Sequence, residues 1–165
     1  MAIIWLSASF GYYLISYQLK YIQGDFWMNG IVSSLSEIVA DCLAGVLLNR
    51  FGIRTVISSS FFISLLGMVS LIFYTGNSSI WISVFVLGSK FGISSVFNTC
   101  YCSNVILFPV SILSTSFGIC NFTARISTIA APYIAELIPE WIPRGIFCII
   151  VSIAFLAANL VKEPK

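Results

Sequence analysis

Four ionisable side chains stand inside runs of residues otherwise suited to lipid: Glu37, Asp41, Lys90 and Arg125. A lone charge at the bilayer centre costs about 3 kcal/mol on insertion scales, so each needs a physical reason to be there. Two uses are open. The two acids and two bases sum to zero, so they can pair as glue between helices. Alternatively they line a watered path and handle an ion or a substrate, the default use of intramembrane charge. Glu37 and Arg125 are read here as functional ahead of structural. Lys90 stands between the two uses, with partial snorkelling open to it, and Asp41, about one turn nearer the membrane surface, is read as structural. The means for other chemistry are absent. The chain has no histidine, and Cys42, Cys100, Cys102, Cys120 and Cys148 fall in apolar runs without a CxxC pair, as buried small hydrophobes do. Neither a nucleophile with its base, nor a metal cluster, nor a Gly-x-x-x-x-Gly-Lys-(Ser/Thr) phosphate loop is visible. No catalytic residue, metal or cofactor is therefore expected, and the chain is not read as an enzyme.

The elements that must hold these charges follow from composition. Of 165 residues, 59% are hydrophobic and 8% charged, against about 25% charged in ordinary soluble domains. Mean hydropathy is +1.01. The bilayer is the expected solvent and partner. A net charge of +2 without a lysine or arginine cluster excludes nucleic acid. The first apolar run opens near Met1 without a basic n-region or a small-residue cleavage site, and is read as a span rather than a signal peptide.

A span needs about 20 mostly apolar residues. Six are drawn, at about 2–19, 27–48, 55–74, 80–102, 113–137 and 144–161, making residues 1–165 one six-helix transmembrane domain. Gly24-Asp25, Gly52, Gly76-Asn77, Pro109, Pro139 and Pro143 punctuate the short connections. Arg50, Arg54, Lys162 and Lys165 fall on one side, while Lys20 and Arg144 share the other with Asp25, Glu136 and Glu140. That bias places both termini in the cytoplasm. The sequon at Asn77 then lies outside, in a loop too short for ready modification; the one at Asn121 lies within a span and is read as chance.

Polarity is unevenly shared among the spans. The third, and the sixth from Gly145 onward, carry no charge and are expected to face lipid over much of their circumference. In the fifth, Ser114, Gly118, Asn121, Arg125, Thr128 and Pro132 recur every three or four residues, with Ile119, Phe122, Ile126, Ile129 and Tyr133 opposite. The second aligns Gly30, Ser33, Ser34, Glu37, Asp41 and Ala44; the fourth, Lys90, Ser94, Asn98 and Tyr101; the first, Ser9, Tyr13, Ser16 and Tyr17, with Tyr12 beside them. Four striped helices around a polar cavity, braced by two plain ones, are expected. Gly88-x-x-x-Gly92 is read as a close helix contact rather than a site.

In order along the chain, "SFGYYL" at 9–14, "SEIVADCLAGVLLNRFGIR" at 36–54, "GSKFGISSVFNTCY" at 88–101, "LFPVSILSTSFGICNFTARISTIAAPYI" at 107–134 and the terminal "VKEPK" carry a family likeness. The chain resembles the C-terminal six-helix half of major facilitator superfamily transporters, in particular the organic cation/anion/carnitine group. The resemblance implies that the first, second, fourth and fifth spans line a central pathway. It implies that Arg125 meets a substrate carboxylate through a forked pair of hydrogen bonds, with Glu37 as its counter-ion or a proton site. It also implies that Tyr12 and Tyr13 contact the substrate's apolar part, with Lys90 and Asn121 on the same substrate-binding face. Asn49 and Ile53 stand where the family has an acid and a base, and Ile106 and Leu113 replace the charged ends of a second segment. These charges close the cytoplasmic side in the family. The expected activity is transport of a small organic ion, an anion or zwitterion ahead of a cation, as a half or truncated secondary transporter. It would act with a second six-helix half or as a homodimer. The alternative is a polytopic protein that assembles with other membrane subunits and transports nothing.

Overall fold

The computed structural model describes residues 1–21, 26–74, 79–139 and 141–161. The Gly24-Asp25 and Gly76-Asn77 turns, the Asn77 sequon, Glu140 and the tail with Lys162 and Lys165 lie outside the described residues. Six α-helices and one 3-10 turn make up the described chain: α1 (Ala2–Gln18), the turn Leu19–Tyr21, α2 (Phe26–Phe51), α3 (Ile53–Phe73), α4 (Ser79–Leu107), α5 (Val110–Ala135) and α6 (Trp141–Asn159). Each expected span has its helix. The class is an all-α membrane bundle. Ile53–Phe73, Ile80–Leu107 and Trp141–Asn159 are the described stretches long and apolar enough to cross a bilayer on composition and length. The other three helices, α1, α2 and α5, each carry a polar stripe.

The boundaries have local causes. Gly52 alone separates α2 from α3, at φ 82°, a left-handed conformation that glycine adopts without Cβ strain. Pro109, extended at φ −64° and ψ 151°, precedes α5, and Pro143 sits in the first turn of α6, where its missing N–H is no loss. α4 runs five residues past the expected end at 102: the Phe108 N–H still donates to the Asn104 carbonyl at 3.2 Å, and Pro109, which has no N–H, ends the run.

Helices alternate in direction. Lys20 Nζ and Glu136 Oε1 meet at 3.0 Å, joining the ends of α1 and α5; Ser58 Oγ donates to Asn159 Oδ1 at 3.4 Å, joining the start of α3 to the end of α6. Arg50 and Arg54 therefore share one end of the bundle with the start of α1 and the end of α6. Lateral packing gives a row, α2–α4–α1–α5, backed by α3 against α4 and by α6 against both α3 and α1. The four polar helices thus form one wall, and α3 and α6, whose charges Arg54 and Arg144 lie in their first turns, brace it.

Bracing by α3 and α6 uses the core. Trp5, Leu14 and Ile15 of α1, Ile57, Phe61 and Met68 of α3, and Phe147 and Val151 of α6 are all buried. α3 is less lipid-facing than its apolar sequence from Thr55 onward suggested. Its Ser60 and Ser64 are buried against α4, with Ser60 Oγ donating to Ser95 Oγ at 3.1 Å and Ser89 Oγ to the Ser64 carbonyl at 3.1 Å. Small residues let the backbones touch: a Cβ on Gly92 would lie 2.5 Å from the Ser60 carbonyl oxygen, and one on Gly67 2.6 Å from the Ser89 nitrogen. Gly88 has nothing within 4 Å, so the contact glycines are Gly67 and Gly92 rather than Gly88 and Gly92.

Candidate functional site

Lys90 is the most enclosed of the intramembrane charges. It is only 2% exposed, too deep to snorkel, and its ammonium lies 3.0 Å from Glu37 Oε1. It also donates to Ser16 Oγ and, at 3.5 Å, to the Tyr12 carbonyl, and stands 3.6 Å from the centre of the Tyr12 ring. Tyr12 in turn donates its hydroxyl to Glu37 Oε2 at 2.9 Å. Three helices thus converge on one ion pair: α4 brings the base, α2 the acid, and α1 the ring and hydroxyls. The arrangement has the features that let a buried pair survive, namely close approach and further hydrogen bonds on both partners. Glu37 is accordingly the counter-ion of Lys90. The alternative in which it neutralises Arg125 is not the one adopted.

From Tyr12 an aromatic ladder crosses the wall. Its ring lies 5.5 Å from Tyr13, edge-on, and 5.5 Å from Phe97, stacked; Phe97 meets Tyr101 at 5.3 Å, and Tyr101 meets Trp5 at 4.5 Å. Phe117 of α5 closes the far end, 5.9 Å from Trp5. The sequence stripes named the three tyrosines but missed Trp5, Phe97 and Phe117. Trp5 lies one helical turn before Ser9 and was findable by extending the stripe; Phe97, beside Asn98, offered no such signal.

Arg125 sits at the other side of this ladder. A crevice of about 30 Å³ between α1, α4 and α5 is lined by Ser9, Tyr13, Tyr101, Asn121, Arg125 and Thr128, among others. Its guanidinium is exposed and forms no ion pair with a described residue. The α5 stripe thus brings Asn121, Arg125 and Thr128 to the crevice, apart from the face through which α5 packs. The face that α5 buries is Cys120, Ala124, Ser127, Ala131 and Ala135, a row of small residues packed on α1, with Ser127 Oγ 3.3 Å from the Leu6 carbonyl oxygen. Arg125, Asn121 and Thr128 border that row, while Phe122, Ile126, Ile129 and Tyr133 are exposed as expected. Small residues win the contact because helices in lipid associate through close packing, not hydrophobicity. Asp41 is exposed; Asn98 Nδ2 donates to its carbonyl at 3.3 Å, a link between α2 and α4. Among the described residues no group of three metal-ligating side chains occurs.

The wall thus offers a neutralised acid–base pair, an aromatic face of rings from three helices, and a guanidinium with donors to spare. Fold and site together define a helical membrane bundle that presents one ionised, aromatic face. No family model matches the chain. It is, however, similar over most of its length to solute carrier family 22 member 4 of Mus musculus, at 30% identity over 135 residues, 81% of this chain and 24% of that protein. Organic cation/carnitine transporter 2 of Rattus norvegicus is 28% identical over 137 residues, 82% of this chain and 24% of the relative. The organic cation transporter protein of Drosophila melanogaster is 26% identical over 139 residues, covering 84% and 25%. The chain is related to the organic cation/carnitine transporters, within the major facilitator superfamily that its motifs resemble. It spans about a quarter of the length of these curated relatives.

Proposed function

We propose that the α2–α4–α1–α5 wall is one side of a transport path for a small organic zwitterion, a molecule with an ammonium and a carboxylate. The observation that carries this reading is the placing of Arg125 and Tyr13 in one crevice at the side of an aromatic ladder. A guanidinium offers a carboxylate two parallel hydrogen bonds, and ring faces attract an ammonium through their quadrupole. Glu37, already held by Lys90 and Tyr12, fixes the ladder's other side and keeps the local charge balanced. Carnitine, named in the rat relative, has both groups; an anion alone uses Arg125 and leaves the rings unused.

Six helices are one wall, and the path is completed by a second six-helix unit, or a second copy, facing it. In this reading all six helices span the bilayer, and the end bearing Arg50 and Arg54 is cytoplasmic, as are both termini. The test is uptake of labelled carnitine and choline by cells expressing the chain with the complementary unit of a relative. Arg125→Ala is expected to weaken carnitine transport roughly 10- to 100-fold, the loss of one charge-assisted pair. Choline, lacking the carboxylate, is expected to be unaffected. Equal effects on both, or none, overturn the assignment. A second reading, assembly without transport, is favoured by Ile53, which is 4% exposed. An apolar side chain is packed into the core where the family carries a base of its cytoplasmic closure. That reading expects no uptake with any complementary unit.

A further inference from the structure

At the end of the bundle away from Arg50 and Arg54, a pocket of about 240 Å³ opens between the ends of α1, α3 and α5 and the starts of α4 and α6. Its floor is apolar. Ile15, Met68, Leu71, Val86 and Ala135, all buried, come to it from four helices. Its rim is polar. Gln18 lies one turn after Ile15 on the same face of α1, and its carboxamide forms no hydrogen bond with a described residue. Glu136 and Arg144 stand at the same rim, and Glu136 Oε1 is 3.0 Å from Lys20 Nζ. Charges of both signs therefore meet there, and the rim favours neither sign in a ligand. No residue of the site above lines this pocket.

Size and lining together select a chemistry. A cavity of about 150 Å³ with an aliphatic lining stays dry and takes up benzene. At about 240 Å³ this pocket has room for a ring carrying a short alkyl chain. Met68 suits a ring in particular, since a thioether packs well at an aromatic edge and its unbranched chain adapts to the guest. The rise from Ile15 to Gln18 is about 4.5 Å, close to the depth of one ring. A hydroxyl on the outer edge of a seated ring therefore reaches the Gln18 carboxamide, which can both donate to it and accept from it.

We propose that this pocket binds one neutral molecule of the alkylphenol class, its ring and alkyl chain on the apolar floor and its hydroxyl on the Gln18 carboxamide. An ionised ligand would have to leave water for a floor without a polar group. A pure hydrocarbon would cover the carboxamide and leave it without a partner. The neutral amphiphile avoids both costs. Once seated, it touches the ends of helices from the wall, α1, α4 and α5, and from the brace, α3, and so ties the two layers together at this end. The site stands apart from the transport reading and does not depend on it.

The test uses the full chain in nanodiscs of dioleoylphosphatidylcholine and a trifluoromethyl-diazirinyl phenol as photolabel, with labelled residues mapped by mass spectrometry. Saturable labelling is expected at Met68 or Leu71. Para-butylphenol should displace it about fivefold more readily than butylbenzene, the worth of one neutral hydrogen bond. Gln18→Leu, at the rim, is expected to remove that difference and keep the labelling. Val86→Phe fills the floor and is expected to abolish saturable labelling altogether. Four results overturn the proposal: labelling that never saturates, as simple partition into lipid would give; equal displacement by the two competitors in the unsubstituted chain; a difference that survives Gln18→Leu; or saturable labelling that survives Val86→Phe. Labelling that appears only after the lipid is exchanged for detergent makes an acyl chain the occupant, and overturns it as well.

Discussion

Glu37→Gln separates the charge of the α2 carboxylate from its shape. The amide still accepts the Tyr12 hydroxyl, but Lys90 is left 2% exposed without its counter-ion. Breaking a buried ion pair from one side costs about 3–5 kcal/mol. The contacts to Ser16 and the Tyr12 ring survive and offset roughly 1–2 kcal/mol of that, so a net loss of about 2–3 kcal/mol is expected. For a chain of this length the loss corresponds to a Tm lower by roughly 4–12 °C. Lys90→Met should cost less, because the Glu37 side chain is 27% exposed and keeps both Tyr12 and access to polar surroundings. The double variant should recover much of the Glu37→Gln loss, since no charge is then stranded. Melting in detergent, followed by fluorescence-detected size exclusion, reads all four proteins. If Glu37→Gln leaves Tm unchanged, or the double variant is less stable than either single one, the ion pair does not hold the three helices together.

Two further outcomes follow from packing. Gly92→Ala puts a methyl group against the Ser60 carbonyl and should destabilise by about 1–3 kcal/mol, while Gly88→Ala, with open space around it, should leave melting unchanged or raise it; equal effects would refute the α3–α4 seam. Trp5 is 1% exposed and Trp141 65%. Brominated acyl chains should therefore quench the fluorescence of a variant retaining only Trp141, and not that of one retaining only Trp5; the reverse pattern would place α1 at the lipid surface.

The architecture was legible because the bilayer demands long apolar runs and the runs are broken where glycine and proline fall. The sorting of helices was legible too. Polar stripes on α1, α2, α4 and α5 marked the wall, and their absence from α3 and α6 marked the braces. Pairing was not. Two acids and two bases on three helices admit several neutral arrangements, and only the depth of Lys90 beside Tyr12 and Ser16 selects Glu37 as its partner. The α5 stripe carries Asn121, Arg125 and Thr128 into the crevice, but the face by which α5 packs was not legible from polarity, because helices in lipid meet where side chains are smallest. Ala124, Ser127 and Ala131 therefore took the contact, and Arg125 came to lie at its border.

The convergence of three helices on Lys90 has a consequence for biogenesis. During synthesis α1 and α2 are made before α4, so the acid, the ring and the hydroxyl that receive the ammonium are already in the membrane when that helix arrives. The cation need never wait in hydrocarbon alone. α1, by contrast, buries its longest partnership against α5, made after α4, and must keep that flank open in the lipid until α5 has followed.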